Sequence, residues 1–433
     1  MNRVIKNTTW IVACKIVQMA LNLVVSMLTA RYLGPANYGL INYASSIVTF
    51  LIPVMQLGLR STLVSEFVNS PEKEGKILGT AIALNLAGAL GCMVGIFSLV
   101  SVAATGEPET VLVCTLYSVS LLFQALEIVQ YWFQAKLLSK YPSLAMVVSY
   151  VVVSAYKIFL LVTGKSVYWF AVSHAIDYAL ISLVLLCVYG KKGSQKLGFS
   201  FKLAGQMFRR SKYYIVSGLM VNVFMLTDRI MLKHMMGDEV TGYYSAAVVC
   251  AGMTSFVFNA IIDSARPGIL EKSRKDESAF KNSVSSLFSI VIYLSLAQCV
   301  AITLLARPVV MILYGGDYVS SVGVLRLVVW YTSFSYLGTV RNIWILAKER
   351  QSILWGINLC GAASNVLLNL ALIPLWGMNG AAAASIISQF FTNFVLTWCI
   401  PKVRECGGLM LKGLDVRGVL KYGVSLVKKK TGN

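Results

Sequence analysis

Twelve apolar stretches, each long enough to cross a bilayer, constrain this chain more than any motif does. They lie near 9–30, 39–59, 77–102, 111–133, 143–163, 166–189, 213–232, 243–262, 284–306, 322–345, 353–375 and 378–401. A hydrocarbon core takes roughly 20 apolar residues per helix. It holds no water to satisfy an open backbone, so segments of this kind become helices. Hydrophobic residues are 57% of the 433, and no polar stretch is long enough for a separate soluble domain. Arg3 and Lys6 precede the first stretch in the manner of a signal peptide. That stretch exceeds an ordinary signal core, however, and eleven more follow, so it reads as a retained helix.

The basic residues are distributed with a bias. Of 38 Lys and Arg, thirty fall before the first stretch, in every second gap (counting Arg341, near the cytoplasmic end of the tenth stretch), or after the last. Four fall in the intervening gaps and four inside the stretches. Short loops that alternate in this way carry the positive-inside signature, which predicts both termini on the cytoplasmic side of the inner membrane. The formal net charge of +20 therefore does not point to nucleic acid. Clusters such as Lys191, Lys192 and Lys196, or Arg209, Arg210 and Lys212, set orientation and meet anionic lipid headgroups; no folded soluble module accompanies them.

The chain also resembles itself. Gly34 and Gly39 recur as Gly237 and Gly242, and Ala44 and Ser61 as Ala247 and Ser264, all shifted by 203 residues. Further on the shift becomes 212, carrying Trp132, Ala135 and Lys136 to Trp344, Ala347 and Lys348. An even number of stretches separates the matched positions, so the halves share one orientation, as in transporters built from parallel repeats. The expected fold is an all-α membrane protein with twelve transmembrane helices in two pseudo-symmetric six-helix lobes around a central cavity. Its expected divisions are a first lobe over 1–190, a cytoplasmic linker over 191–212, a second lobe over 213–401 and a basic cytoplasmic tail over 402–433. The tail reads as a surface-lying amphipathic helix.

Polar residues inside the stretches mark candidate function. Lys15, Gln18, Asn22, Ser26 and Thr29 recur every three or four residues and form one stripe on the first helix. Gly218, Asn222, Met225 and Arg229 form a stripe of the same phase on the seventh. A charge at mid-bilayer costs about 2.5–3.5 kcal/mol on insertion scales. Lys15, Lys157, Arg229 and Arg326 therefore either snorkel to an interface or face a wet cavity. Arg326 shares a face with Trp330 and Ser333, and Lys157 with Tyr150 and Ser154. Asn358, Asn365 and Asn369 line one face of the eleventh helix, and Ser385, Gln389 and Asn393 one face of the twelfth; interhelical hydrogen bonding explains these amides as well as ligand binding does.

The acids inside stretches are Glu127, Asp177 and Asp228. Asp177 follows His174 by three residues, which puts both on one helix face, where they relay a proton or cation or pair with a cation such as Lys157. Two histidines in the whole chain exclude a His-rich metal site, and nine scattered cysteines read as apolar packing residues. No metal or other cofactor is expected. Cations outnumber acids inside the bundle, and Arg60, Arg266 and Arg341 add charge at the cytoplasmic helix ends. That balance suits an anionic ligand, and Arg suits a diphosphate best because its fork donates two hydrogen bonds.

Three segments then carry a family resemblance. Arg31–Ala44 (RYLGPANYGLINYA) resembles the first-loop signature of polysaccharide flippases in the multidrug/oligosaccharidyl-lipid/polysaccharide exporter superfamily. Pro374–Gln389 (PLWGMNGAAAASIISQ) resembles that family's penultimate loop and last helix, and Tyr131–Tyr141 (YWFQAKLLSKY) its helix-4 exit. The resemblance implies a two-lobed flippase that turns an undecaprenyl-diphosphate-linked oligosaccharide to the outer leaflet by alternating access, the lipid tail staying in the bilayer. On that reading Lys15, Lys157, Arg229 and Arg326 neutralise the diphosphate. Asn22, Asn222, Asn365 and Gln389 offer hydrogen bonds to sugar hydroxyls, Trp330 stacks on a ring, and His174, Asp177 and Asp228 are coupling candidates. The expected partners are the lipid-linked glycan, membrane lipid and, as a further candidate, a glycan polymerase complex.

Two rivals share the superfamily. A drug or cation antiporter would want an acidic cavity, yet the first two stretches contain no Asp or Glu. Flippases of the peptidoglycan precursor usually add two C-terminal helices beyond twelve. An enzyme reading lacks a sizeable outer loop or catalytic module to display its acids and bases, and no GxxxxGK[ST] loop supplies nucleotide energy.

Overall fold

A computed structural model describes residues 2–193 and 195–415, with side chains described at Gln18 and from Leu21 onward. The Lys15 side chain and residues 416–433 of the basic tail lie outside the described residues. Among the described residues there is no strand. Each of the twelve expected stretches is helical over nearly its whole length. By length and apolarity, eight described helices are able to cross a membrane, or nine when one pair bent by 42° counts as a single span.

Two of these helices fold back on themselves. Helix α1 (Asn2–Met55) breaks at Gly34, with φ 72° and ψ 173°. That region of backbone space is essentially open to glycine alone. Ser26 Oγ lies 3.2 Å from the Tyr38 hydroxyl although twelve residues separate them. A straight helix would hold those residues about 18 Å apart, so the chain reverses at Gly34. Helix α14 (Ser352–Phe390) reverses in the same way at Gly377, φ 57°. A Cβ on Gly380 would stand 2.0 Å from the Leu372 carbonyl oxygen, so only glycine lets the two limbs meet there.

Between these lie α2 (Leu63–Asn69), α3 (Glu74–Ala103), α4 (Pro108–Ser118), α5 (Ser120–Leu126), α6 (Gln130–Ala135), α7 (Lys140–Val162), α8 (Val167–Lys192) and α9 (Phe201–Met236). Then come α10 (Asp238–Gly252), α11 (Ser255–Lys275), α12 (Glu277–Leu313) and α13 (Ser321–Ala347). A π-helical turn (Phe391–Val395), α15 (Leu396–Cys399) and α16 (Arg404–Lys412) follow α14. The expected span near 243–262 is the bent pair α10–α11, broken at Met253 and Thr254. Many outward residues are large and apolar, among them Val94, Val162, Leu304 and Leu375. They suit a surface solvated by lipid tails.

The chain divides into a unit ending at Lys233 and a unit beginning at His234. The internal repeat reappears in their backbones. Gly34 is matched by Gly237, φ 89° and ψ −178°, at the shift of 203. Leu137 and Glu349, 212 apart, are non-glycine residues held at φ 56° and 55°. Each closes a helix end by the same two bonds: Leu138 N to Phe133 O (2.8 Å) in one unit and Arg350 N to Ile345 O (3.0 Å) in the other, with Leu137 N to Gln134 O and Glu349 N to Leu346 O (3.1 Å each) inside them. These are 6→1 bonds of the kind that usually requires glycine. An ion pair recurs beside them. Lys136 meets Glu74 at 2.8 Å, and Lys348, 212 residues on, meets Glu277, 203 residues on, at 2.7 Å.

By its contacts α9 groups with the first unit up to Lys233, whereas the sequence division put the stretch 213–232 with the second lobe. The reason begins in the segment expected as a linker. Gly75 and Gly79 stand one turn apart on α3, and a Cβ on either would strike the backbone of Lys196 or Gly198. Residues 195–200 lie along that glycine face. Gly198 N donates to Gly75 O (3.1 Å), Gly75 N to Gln195 Oε1 (3.1 Å), and Ser200 N to Thr80 Oγ1 (3.1 Å). Ser211 Oγ then donates to Leu57 O (2.6 Å), and Arg210 pairs with Glu66. So 195–212 is a strapped connection, and α9 from 201 onward is one continuous helix. In the second unit α16 buries Cys406, Leu409 and Met410 in a core with Phe280, Phe288 and Trp344. The start of the tail is therefore packed, not lying free on a surface, because its apolar face finds a protein partner.

Candidate functional site

The first unit holds a charged and aromatic cluster among its helices. On α8, His174 stacks on Tyr117 of α4 at 4.4 Å and meets Tyr178 edge-on at 5.0 Å. One turn from His174, Asp177 is buried and accepts from Ser149 Oγ of α7 at 2.6 Å. Lys157, half-buried on α7, acts electrostatically on both Asp177 and His174. Glu127, in the turn after α5, lies within the field of Arg60 and of Asp177. Gln18 of α1 stands beside Tyr150. Two acids thus each lie within the field of a cation, in a cluster that also holds an imidazole and three phenols.

A cavity of about 390 Å³ opens in the same unit where α1 ends and α9 passes. Its construction follows from a proline. Pro53 has no N–H, so the Thr49 carbonyl four residues earlier loses its helical donor. Asn222 Nδ2 on α9 donates to that oxygen at 2.7 Å. Four residues before Asn222, Gly218 sits so close that a Cβ would fall 2.8 Å from the Pro53 ring. Gly58 at the end of α1 is matched in the same way to the Ser211 backbone, 2.4 Å from where a Cβ would be. Arg60 stands at the rim of the cavity and also beside Tyr131.

The sequence candidates divide between these places and others. Asn222 is in the cavity wall, but its amide nitrogen is committed to Thr49. Arg229 is half-buried further along α9; Asp228 beside it is buried and has a partner. Asn22 is exposed on α1. Lys157, His174 and Asp177 belong to the charged cluster.

In the second unit Arg326 is exposed, Trp330 donates its indole N–H to Thr303 Oγ1 at 3.2 Å, and Ser333 meets Ser295 at 2.7 Å. Trp330 and Ser333 therefore join α13 to α12. Asn365 is buried, donates to Ser388 Oγ at 3.4 Å and accepts from Asn369. Gln389 accepts from Asn393 at 2.6 Å. These amides tie the two limbs of the α14 reversal together and run along its second limb.

Sequence reasoning passed over Glu127 as a cluster member, and over Gln56, Tyr214 and Ser217 as cavity residues. Tyr214 and Ser217 precede the Gly218–Asn222 stripe on the same helix, and Gln56 follows Pro53 by three residues. Those spacings were visible; what each helix faces was not.

Comparison with known proteins gives a consistent answer. A family model described as "Polysaccharide biosynthesis protein" matches residues 4–270. The capsular polysaccharide biosynthesis protein CapF of Staphylococcus aureus is 23% identical over 412 residues, covering 89% of this chain and 96% of that protein. Among solved structures, the lipid II flippase MurJ in an inward closed conformation is similar, with TM-score 0.74 at 15% identity, covering 93% of this chain and 90% of that one. An inward-facing MATE-family multidrug resistance transporter of the MOP superfamily has TM-score 0.71 at 13% identity, covering 90% and 95%. At such low identity these two show the fold alone.

Proposed function

Because the chain belongs to the polysaccharide biosynthesis protein family, we propose that it is a flippase for an undecaprenyl-diphosphate-linked oligosaccharide. It works in the bacterial inner membrane with both termini in the cytoplasm. The observation that carries this reading is the charged cluster of Arg60, Glu127, Lys157, His174 and Asp177 inside an apolar helical unit. Charges are costly within a bilayer and are kept there for transport or coupling. A lipid-borne sugar needs such a polar interior, because its head must cross while its tail stays in hydrocarbon.

In this reading Lys15, Lys157, Arg229 and Arg326 meet the diphosphate. Asp177 and His174, with Glu127, hold and release the coupling cation as the protein alternates between inward and outward access. Asp228 remains a coupling candidate on α9. A glycan polymerase is the partner that would take the delivered product. The drug-antiporter reading is weaker, because each acid of the cluster already has a cation near it and an organic cation would find little free negative charge.

The test is glycan export in cells whose own copy carries Lys15→Ala and Arg229→Ala. Export should cease with the protein still present at its normal level in the membrane. Full export in the double variant would remove the diphosphate assignment.

A further inference from the structure

The cavity at the junction of α1 and α9 has a lining chemistry of its own. Thr49, Gln56, Ser61, Tyr214 and Ser217 all line it and bring hydroxyl and amide groups to its wall. Asn222 contributes as well: its nitrogen is used on Thr49, and its amide oxygen remains for a donor. The single cation, Arg60, is shared with Glu127 and Tyr131. Neutral donors and acceptors therefore dominate over free positive charge. Ile52, Pro53 and Val221 supply apolar walls, and Tyr214, exposed on α9, supplies an aromatic ring.

Hydroxyls and amides spaced around an apolar floor match a ligand that has many hydroxyls of its own and C–H faces between them. The volume falls within the ordinary range of small-molecule sites, roughly 300–1,000 Å³. A diphosphate would want several unshared cations, which this cavity lacks.

We propose that this cavity binds a sugar ring of the lipid-linked glycan, a neutral polyol, while the diphosphate is held elsewhere on the cationic residues. The inference rests on the flippase reading and adds a division of labour to it. Hydroxyl recognition falls to Gln56, Ser61, Ser217 and the oxygen of Asn222, and the Tyr214 ring stacks on a C–H face. Glycine is required at positions 58 and 218 because a Cβ there would strike the Ser211 backbone or the Pro53 ring and force the two helices apart.

The experiment measures binding to the purified full-length protein in nanodiscs. One probe is the lipid-linked oligosaccharide extracted from the native cells; the other is bare undecaprenyl diphosphate. Ser217→Phe fills the cavity, and Gln56→Ala and Tyr214→Ala remove its contacts should the filling variant fail to fold. The expected result is an affinity for the glycolipid lower by about tenfold, equivalent to the loss of one or two good contacts, with the bare lipid bound as before. Unchanged glycolipid binding in the folded variants overturns the proposal, and so does an equal loss for both probes. Failure of the wild-type protein to bind either probe would strike at the flippase reading itself, and this inference would fall with it.

Discussion

Asn222 on α9 gives Thr49 on α1 the hydrogen bond that Pro53 denies it, 2.7 Å from amide nitrogen to carbonyl oxygen. A proline kink inside one helix is thereby repaired by a side chain of another. The expected consequence is a conditional cost. Asn222→Ala should destabilise the wild-type chain by about 0.5–1.5 kcal/mol, the usual net worth of one intramolecular hydrogen bond. In a Pro53→Ala background the helix repairs itself and the same change should cost much less. A thermal-denaturation double-mutant cycle measures the difference, and additive effects would show that the two residues are not coupled.

The repeated ion pair permits a comparison within one molecule. Glu74 is 2% exposed, whereas its counterpart Glu277 is 49% exposed. Removing the cation from a fully buried pair costs about 3–5 kcal/mol; Lys136 is 37% exposed, so the cost here falls below that range but above the roughly 0–1 kcal/mol of exposed pairs. Lys136→Met should therefore lower the melting temperature clearly and Lys348→Met hardly at all. Equal shifts would mean that burial does not set the cost.

The strapped connection predicts sensitivity at a glycine of α3 outside the charged cluster. A Cβ on Gly79 would lie 2.4 Å from the Gly198 carbonyl oxygen, and that neighbour is backbone, which cannot swing away. Gly79→Val should release residues 195–200 from α3 and expose them to protease, with an overpacking cost of about 1–3 kcal/mol. Gly91, on the same helix with open space beside it, should tolerate alanine. Protease resistance of the Gly79 variant equal to wild type would refute the strap.

Asp276 caps α12, its Oδ1 accepting from Ala279 N at 3.0 Å and Ser278 N at 2.9 Å. Those bonds, the Ala279 one foremost, hold its carboxyl below the usual range. A depressed carboxyl adds stability above its unfolded value and loses that contribution as pH falls through the folded one. Asp276→Asn keeps an acceptor but not a charge. It should therefore be less stable than wild type at neutral pH and converge with it in acid, as read from melting temperatures across pH. A constant gap at every pH would show that the charge is irrelevant to the cap.

These residues also show what could be read in advance. Apolar length announced the helices, since a bilayer leaves a backbone no other option. The shift of 203 announced that Gly34 and Gly237 would be equivalent turns, because few residues tolerate that backbone. Local rules of this kind survive into three dimensions. Asn222 could be placed on a polar stripe, but its partner is a carbonyl freed by a proline some 170 residues away, and no period reports that. Gly75 and Gly79 were plain as a four-residue spacing; the strand of chain that fills their face was not. Trp330, Asn365 and Gln389 look like ligand contacts in sequence because the polarity that binds sugars also joins helices. At the start of the tail, only the fold shows that Cys406, Leu409 and Met410 are covered by protein.

The central claim is that this chain moves a lipid-linked glycan from the inner to the outer leaflet. Its most direct measurement uses intact and inverted membrane vesicles from cells that lack the chain, treated with a membrane-impermeant reagent that oxidises sugars. The prediction is that lipid-linked oligosaccharide accumulates where only inverted vesicles expose it, and becomes reactive in intact vesicles once the chain is restored. Glycolipid that reaches the outer face equally well without the chain would contradict the account.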